Sequence, residues 1–558
     1  MKYLYLTVFT IFAVNFSNGQ SYTFKNHLSG PGRDEFNSVK LCNDGGIIAS
    51  GNTDSALVIG ANALNLTGGF VTKFDSNGNN LWVVPAGDNN TAYYAVPDIR
   101  WPLVDVDDSN NVYILGSFTD TAFVGNQFIA DTGSNNLFLA KLNSLGNTIW
   151  LKKICDEGRP GDLTIDHMGN IIVTGGFWGT TYFDTIAMTT AGGGGSDIFL
   201  AKFTSSGNQI WVKQAGGFGF YSDMGYGVDA DYSGNIYVGG HIRTNAYFDA
   251  LPLACHSAPF FSGFDGFIAK YNTAGNAQWV QYCGYECHAV SVDSAGNCYA
   301  GSYTNGSGYF GNDTVYHPGS STFYIARFNS SGAFKWVKFN EAGTFSWTTG
   351  ISADNNGHVY ATGLHRDLTT SLYDTVHLES SLCGGTEQNS FILCIDSSGN
   401  PLYGKTLQSC TSGSWGSYID VKDCRVATTG TLRLPPAAVY FDNDSMVVWG
   451  DYDGYLAVFD TCLLLTNVHT PGKENYMLSL YPNPVADVII LKLNNDVTGK
   501  INVHVTNAQG EIMEHYSVLK NKNDSEFSVP VKKLSSGIYL LTIQTEKTIA
   551  TQKIIVAK

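Results

Sequence analysis

Short runs in which apolar and polar residues alternate recur along this chain, each broken by a small polar reversal. Two forms of the unit are seen. The first reads DYSGNIYVGG at Asp231 to Gly240, and the second reads FLAKFTSSGNQIWVK at Phe199 to Lys213. In both, an apolar run meets a Gly-Asn reversal, and a second apolar run follows. Gly and Asn accept positive φ, so they suit a tight turn between two strands. The first form recurs at Asn43–Gly51, Asp107–Gly116, Asp166–Gly175, Asp231–Gly239, Asp293–Gly301, Asp354–Gly363 and Asp420–Gly430. The second recurs at Phe70–Trp82, Phe138–Trp150, Phe199–Trp211, Phe267–Trp279 and Tyr324–Trp336, then decays at Ile392–Tyr403 and Tyr455–Asp460. A fixed period of about 60 residues marks a repeat architecture.

Two hairpins per repeat predict four strands, and four-stranded sheets set around an axis form a β-propeller. Seven repeats predict seven blades. The last repeat lacks its Trp strand, because YLAVFDT runs into CLLLTNV. The segment after residue 20, SYTFKNHLSGPG, reads like an outer strand. Tyr22 to Asn26 is therefore expected to complete the blade begun near Gly454, removing an open edge.

The two ends differ from the body. Residues 1–20, MKYLYLTVFTIFAVNFSNGQ, have one Lys, an apolar stretch and then small polar residues, as a secretory signal peptide does. No further stretch is apolar enough to cross a bilayer as a helix. From Lys473 onward there is no Cys and no Trp, and ten Lys stand against eight acids. Taking these from the chain's 32 basic and 48 acidic residues leaves 22 and 40 for the body. So acidic a body is a poor partner for nucleic acid or anionic lipid. The expected organisation is all-β: signal peptide 1–20, seven-bladed β-propeller 21–468, linker 469–477 and a small C-terminal β-sandwich 478–558.

The tail carries LSLYPNPVADVIILKL, then INVHVTNAQGEIM, then LSSGIYLLTIQTEKTIATQKIIVAK. These segments resemble, in order, the type A C-terminal sorting domain of proteins exported by the type IX secretion system of Bacteroidota. The matching positions are Tyr481, Pro482, Asn483 and Pro484, the turn at Gly510, and Gly537 with Tyr539. The resemblance implies a β-sandwich read by the type IX machinery as an export address at the cell outer membrane. It places the protein outside the cell, released or attached to the outer surface. The pattern D-x-x-G-N-x-Y-V-x-G with F-x-A-K-x-x-x-x-G-x-x-x-W resembles the bacterial propeller repeat family named for its seven blades. That implies a fold and no single activity.

Few motifs point to chemistry. The strand Trp residues (Trp82, Trp150, Trp211, Trp279, Trp336) read as blade packing, because a ring of large apolar side chains has that task. The turn acids Asp166, Asp231, Asp293 and Asp354 read as local acceptors of backbone N–H bonds, because equivalent copies imply a repeated structural role. No cofactor is expected. Calcium has two candidate loops: Asp105–Asn111, whose oxygen donors fall at near-alternate positions without a terminal bidentate Glu, and the acidic cluster Asp442–Gly454. Eleven Cys in an exported chain permit disulfides, with Cys410 and Cys424 one candidate pair. His241, His256, His317 and His365 read as isolated loop residues.

The connections between hairpins and between blades are long, and loops of that length are usually functional. They carry Trp101, Trp178, Phe220, Tyr221, Trp347 and Trp415, the candidate ligand-binding residues. Weakly charged aromatic loops suit a glycan or a protein partner. The expectation is a secreted or surface propeller that binds without turnover and supports adhesion. The alternative is a secreted enzyme (polysaccharide lyase, glycosidase or quinoprotein-like) with its site on the same face. No convergent acid/base group or metal set is visible in the sequence to decide between them.

Overall fold

The computed structural model describes residues 24–28, 32–54, 57–59, 62–64, 67–88, 102–192, 194–256, 263–306, 308–317, 321–340, 345–366, 378, 388–409, 413–433, 438–441, 444–447, 452–461, 478–481, 485–493, 499–507, 512–520, 526–544 and 549–558. Among them there is no helix. The chain divides into two compact units, Met1–Asp460 and Thr461–Lys558. The expected signal peptide and linker lie outside the described residues.

The described strands of the first unit group into seven antiparallel four-stranded sets; two of these are joined in one eight-stranded sheet, and two are extended to six strands by added hairpins. Given from inner to outer strand, blade 1 is Asp34–Leu41, Ile47–Thr53, Gly68–Phe74 and Asn80–Gly87, and blade 2 is Leu103–Val106, Val112–Val124, Gln127–Leu142 and Thr148–Cys155. Blade 3 is Gly158–Ile165, Ile171–Trp178, Ser196–Phe203 and Gln209–Gly217, and blade 4 is Met224–Ala230, Ile236–Ile242, Asp265–Tyr271 and Ala277–Tyr282. Blade 5 is Ala289–Val292, Cys298–Thr304, Thr322–Phe328 and Phe334–Phe339, and blade 6 is Trp347–Ala353, Val359–His365, Asn389–Ile395 and Pro401–Ser409. Blade 7 is Ser414–Lys422, Arg425–Arg433, Tyr452–Asp460 and, as its outer strand, Phe24–His27. That last strand pairs antiparallel with Tyr455–Val458, so the leading segment completes the final sheet. Asn26 Nδ2 donates to Gly78 O of blade 1 at 2.7 Å, tying blade 7 to blade 1.

A belt of polar bonds joins the inner strands in sequence. Lys40, Asp105, Thr164, Asp229, Ser291, Ser352 and Asp420 hold one position in the seven blades. The Lys40 ammonium lies 3.4 Å from Asp105, and Asp105 accepts Ile165 N–H. Thr164 Oγ1 donates to Asp229, and Asp229 accepts Val292 N–H. Ser291 Oγ accepts Ala353 N–H, Ser352 Oγ accepts Val421 N–H, and Asp420 accepts Leu41 N–H at 2.8 Å. Two residues before the belt position, Tyr418 OH of blade 7 donates to Asp162 Oδ1 of blade 3 at 2.8 Å. Burial alone would lower the Lys40 pKa, but Asp105, Asp420 and Asp229 raise it well above the ordinary lysine value. Burial pushes Asp162 up to about 7.

The repeat's signature residues serve the sheets. Asp166 Oδ1 accepts the N–H of Met168 at 2.9 Å and of Asn170 at 2.8 Å, and Asp231, Asp293 and Asp354 close their turns the same way. The lysine of the second motif half pairs with the turn acid, as Lys202 does with Asp166 at 2.8 Å. Each Trp lies on the turn glycine of the next blade. A Cβ at Gly275 would sit 3.0 Å from Trp211, and one at Gly332 would sit 2.7 Å from Trp279. Trp82, Trp211, Trp279 and Trp336 also donate Nε1–H to a carbonyl in that turn. In six blades the strand glycine before the long connection makes room for an aromatic ring; at Gly240 a Cβ would meet Phe267 at 2.7 Å, and in blade 5 Ser302 takes the glycine's place.

One expectation needs correction. The long connections are not plain loops. Those of blades 1, 2, 3, 4, 5 and 7 each carry a third hairpin, such as Thr180–Phe183 with Ile186–Thr189 and Ala246–Phe248 with Leu251–Leu253. Their turns place Gly125, Asp184, Asp249 and Gly311 at positive φ. An apolar residue ahead of the turn is driven inward: Phe183 packs on Phe199 at 4.9 Å, and Phe248 on Phe267 at 4.7 Å. Several of these hairpins bond to the outer strand of the preceding blade, as Ala246–Phe248 does to Ala215–Gly217. They therefore cover strand edges that would otherwise be open.

In the second unit a three-stranded sheet (Leu478–Tyr481, Val488–Leu493, Glu526–Pro530) and a four-stranded sheet (Ile512–Lys520, Gly499–Thr506, Gly537–Gln544, Ile549–Val556) enclose one core. Val485, Ile489, Val503, Leu541 and Ile554 are buried in it. Tyr481 pairs with Ile490. Tyr539 is buried, and its hydroxyl donates to Ser535 O at 3.1 Å. Pro482, Asn483, Pro484 and Gly510 lie outside the described residues.

Candidate functional site

Inner strands begin on the face that carries the long connections. In five of them one residue is skipped in the pairing register: Asn37, Gly161, Tyr226, Thr349 and Ser417. Counting from the turn Asp gives His288 the same place in blade 5. Two residues before each lies a position occupied by Glu35, Arg159, Met224, Glu286, Trp347 and Trp415. The belt and the turns repeat; these positions do not.

Blades 4 to 6 bring a cluster together here. Glu286 sits in the connection between blades 4 and 5 with its side chain 9 % exposed. Its Oε2 lies 2.8 Å from His288 Nε2, and its Oε1 lies 3.5 Å from His241 Nδ1. The Tyr303 hydroxyl also donates to it. Burial alone would raise the Glu286 pKa, but His288, the Tyr303 bond and His241 hold it below the usual carboxylate range. Burial lowers His241 to about 4, so its ring is neutral at neutral pH. His241 Nε2 is 3.1 Å from Ser222 O, which makes Nε2 the donor and leaves Nδ1 without a hydrogen bond.

Aromatic rings surround these groups. Tyr226 packs edge-on to His288 at 4.4 Å, and His241 lies 4.3 Å from Phe264. Phe264 meets Tyr285 at 5.3 Å, Tyr285 meets Tyr303 at 5.5 Å, and Tyr303 stacks on Trp347 at 5.2 Å. Phe345 extends the row beyond Trp347 at 5.3 Å. The Arg243 guanidinium lies 4.6 Å from the Phe264 ring centre and 5.2 Å from that of Tyr221.

Of the candidate binding residues, Trp347 and Tyr221 therefore belong to this cluster. Phe220 neighbours it in sequence and is 78 % exposed. Trp178 ends a strand of blade 3, opposite Ser196. Trp415 packs on Tyr452 at 6.0 Å in blade 7. Trp101 lies outside the described residues. His241 and His365 are strand residues, not loop residues as the sequence reading had them. His241, Glu286, His288, Tyr226, Tyr303 and Arg243 were missed as a group. Tyr226, His241 and Arg243 come from blade 4 and Glu286, His288 and Tyr303 from blade 5 and its entry, so only the packing of the two blades joins them.

Of the calcium candidates, Asp107 accepts the backbone N–H groups of its own turn and Asp105 serves the belt. Residues 442–443 and 448–451 of the second loop lie outside the described residues. Among the described residues no group of three or more His, Cys, Asp or Glu is placed to hold a metal ion. Cys283, Cys287 and Cys298 are buried free thiols, and Cys424 is in a disulfide whose partner is outside the described residues. No helix among the described residues is long and apolar enough to cross a membrane.

The family model for the secretion system C-terminal sorting domain matches residues 479–557, and the model for the beta-propeller repeat matches residues 210–245. The chain is a β-propeller repeat protein with a type IX sorting domain. That domain marks the protein for secretion or attachment at the cell surface, through the type IX machinery. An uncharacterised WD repeat-containing protein of Acanthamoeba polyphaga mimivirus is 22% identical over 70% of this chain; the chain spans 33% of that relative's length. Among solved structures, Synechocystis apocarotenoid oxygenase matches with a TM-score of 0.32 and 10% identity, covering 67% of this chain and 74% of that one. Virginiamycin B lyase from Staphylococcus aureus matches with a TM-score of 0.24 and 8% identity, covering 61% and 95%. Similarity at this level carries nothing about chemistry.

Proposed function

We propose that this exported propeller binds a saccharide at the cluster on blades 4 to 6 and does so without turnover, as an adhesion or capture protein at the cell exterior. The observation that supports this reading is the row of half-buried rings from Tyr226 to Trp347 around Glu286. Ring faces stack on sugars, and a carboxylate and imidazoles accept and donate hydrogen bonds at the edges of such a ligand. The test is binding of the secreted protein to immobilised polysaccharides. Trp347→Ala is expected to weaken binding about tenfold or more, and Trp178→Ala to leave it unchanged. Equal binding by both variants and the parent contradicts the reading.

A second reading, that of an enzyme, is favoured by one pair. His288 points Nε2 at Glu286, and among the described residues nothing bonds its Nδ1. A carboxylate-oriented imidazole with a free nitrogen is the arrangement of a general base. Product release that disappears in His288→Gln while saccharide binding persists would support this second reading.

A further inference from the structure

We propose that the ligand is an acidic saccharide, carrying carboxylate or sulfate groups, and that Arg243 is the residue that recognises its charge. The inference rests on the reading that the blade 4–6 cluster binds a saccharide.

Arg243 directly follows the strand that ends at Ile242 and is half-buried among the rings of the site. Its guanidinium is flanked by Phe264 and Tyr221. Stacking uses the faces of the guanidinium plane and leaves its in-plane N–H donors available. No acid among the described residues forms an ion pair with it. Asp223, the acid that feels its charge, is otherwise engaged: it accepts the backbone N–H of Gly217 and of Arg243 itself, each at 2.8 Å. Burial pushes Asp223 up to about 7, which weakens it further as a counter-ion.

The basic residues of the repeats behave differently. Lys73, Lys141, Lys202 and Lys270 each pair with a turn acid. Arg327 donates to Ser397 O, and Arg425 to Gly45 O and Ser76 O. In a chain of net charge −16, a guanidinium held by rings and left without an acid is a recognition group in waiting. Glu286 does not neutralise it. Its oxygens are engaged by His288, His241 and Tyr303, and it forms no ion pair with Arg243. A planar fork of donors fits carboxylate and sulfate alike.

The test uses the full secreted chain, with binding measured to polygalacturonate, dextran sulfate and neutral dextran at one ionic strength. The protein's net negative charge opposes non-specific attachment of the acidic polymers, so their retention is informative. At least one acidic polymer is expected to bind about tenfold more tightly than neutral dextran, and which one binds tells a carboxylate ligand from a sulfate ligand. Arg243→Gln is expected to abolish that preference and Arg243→Lys to keep part of it, with unfolding midpoints unchanged. Acidic binding that persists undiminished in Arg243→Gln overturns the proposal, and so does a parent that prefers the neutral polymer. In either case saccharide binding itself still stands. Failure of all three polymers to bind overturns the proposal and the saccharide reading beneath it.

Discussion

The turn face and the connection face of the propeller are built from the same repeats and obey different rules. On the turn face, Asp166, Asp231, Asp293 and Asp354 make the same bonds to the same backbone groups. On the connection face, equivalent positions hold Glu35, Arg159, Met224, Glu286, Trp347 and Trp415. A residue repeated in every blade answers a need that every blade has. A shared position that different blades fill with different residues answers a need of the whole molecule. That contrast locates the site more firmly than any motif, because a ligand breaks the ring's symmetry and the fold does not.

The comparison can be broken from the structural side. Lys40 lies in the belt, where Asp105, Asp420 and Asp229 act on its charge. Lys40→Met leaves these buried carboxylates without their cation, and a loss of about 3–5 kcal/mol in denaturant unfolding is expected. A loss below about 1 kcal/mol means the belt is not a structural closure.

A smaller effect sharpens the connection face. The His241 pKa is depressed from its ordinary 6.5 to about 4. Below pH 6.5 the unfolded chain takes up a proton there and the folded chain does not. Stability is therefore expected to fall as pH drops from about 6.5 to about 4, by roughly 3 kcal/mol in full. Asp162 and Asp223, raised to about 7, act in the opposite sense over an overlapping range. The measurement is therefore a difference, comparing urea unfolding at pH 7 and pH 4.5 for the parent and His241→Gln. The parent is expected to lose more stability than the variant; equal losses show that His241 is not buried as a neutral ring.

Most of the scaffold could be read from the chain because its signals are local. Asp231 and Asn235 lie within one turn, and Gly332 follows the second-half pattern that also yields Trp336. The latch was legible because blade 7 lacks a Trp strand. The third hairpin left a signal too, in the Tyr-Phe-Asp and Tyr-Phe-Gly runs at Tyr182, Tyr247 and Tyr309. It was passed over because those runs sit in stretches of uneven length that read as loops. The site was not legible. His241, Glu286, Tyr303 and Trp347 meet only once three blades stand side by side, and their spacing follows the repeat rather than any catalytic pattern. Trp178, Trp347 and Trp415 looked alike in sequence, and the structure gives them different neighbours.

The most direct test of the contrast between faces is a paired measurement on Asp231→Ala and Glu286→Gln, with unfolding free energy and polysaccharide binding determined for each. The account expects a crossing. Asp231→Ala loses about 1–2 kcal/mol of stability and keeps its affinity, and Glu286→Gln loses about tenfold in affinity with little change in unfolding. If Glu286→Gln binds like the parent while Asp231→Ala does not, the connection face is scaffold and the account is wrong.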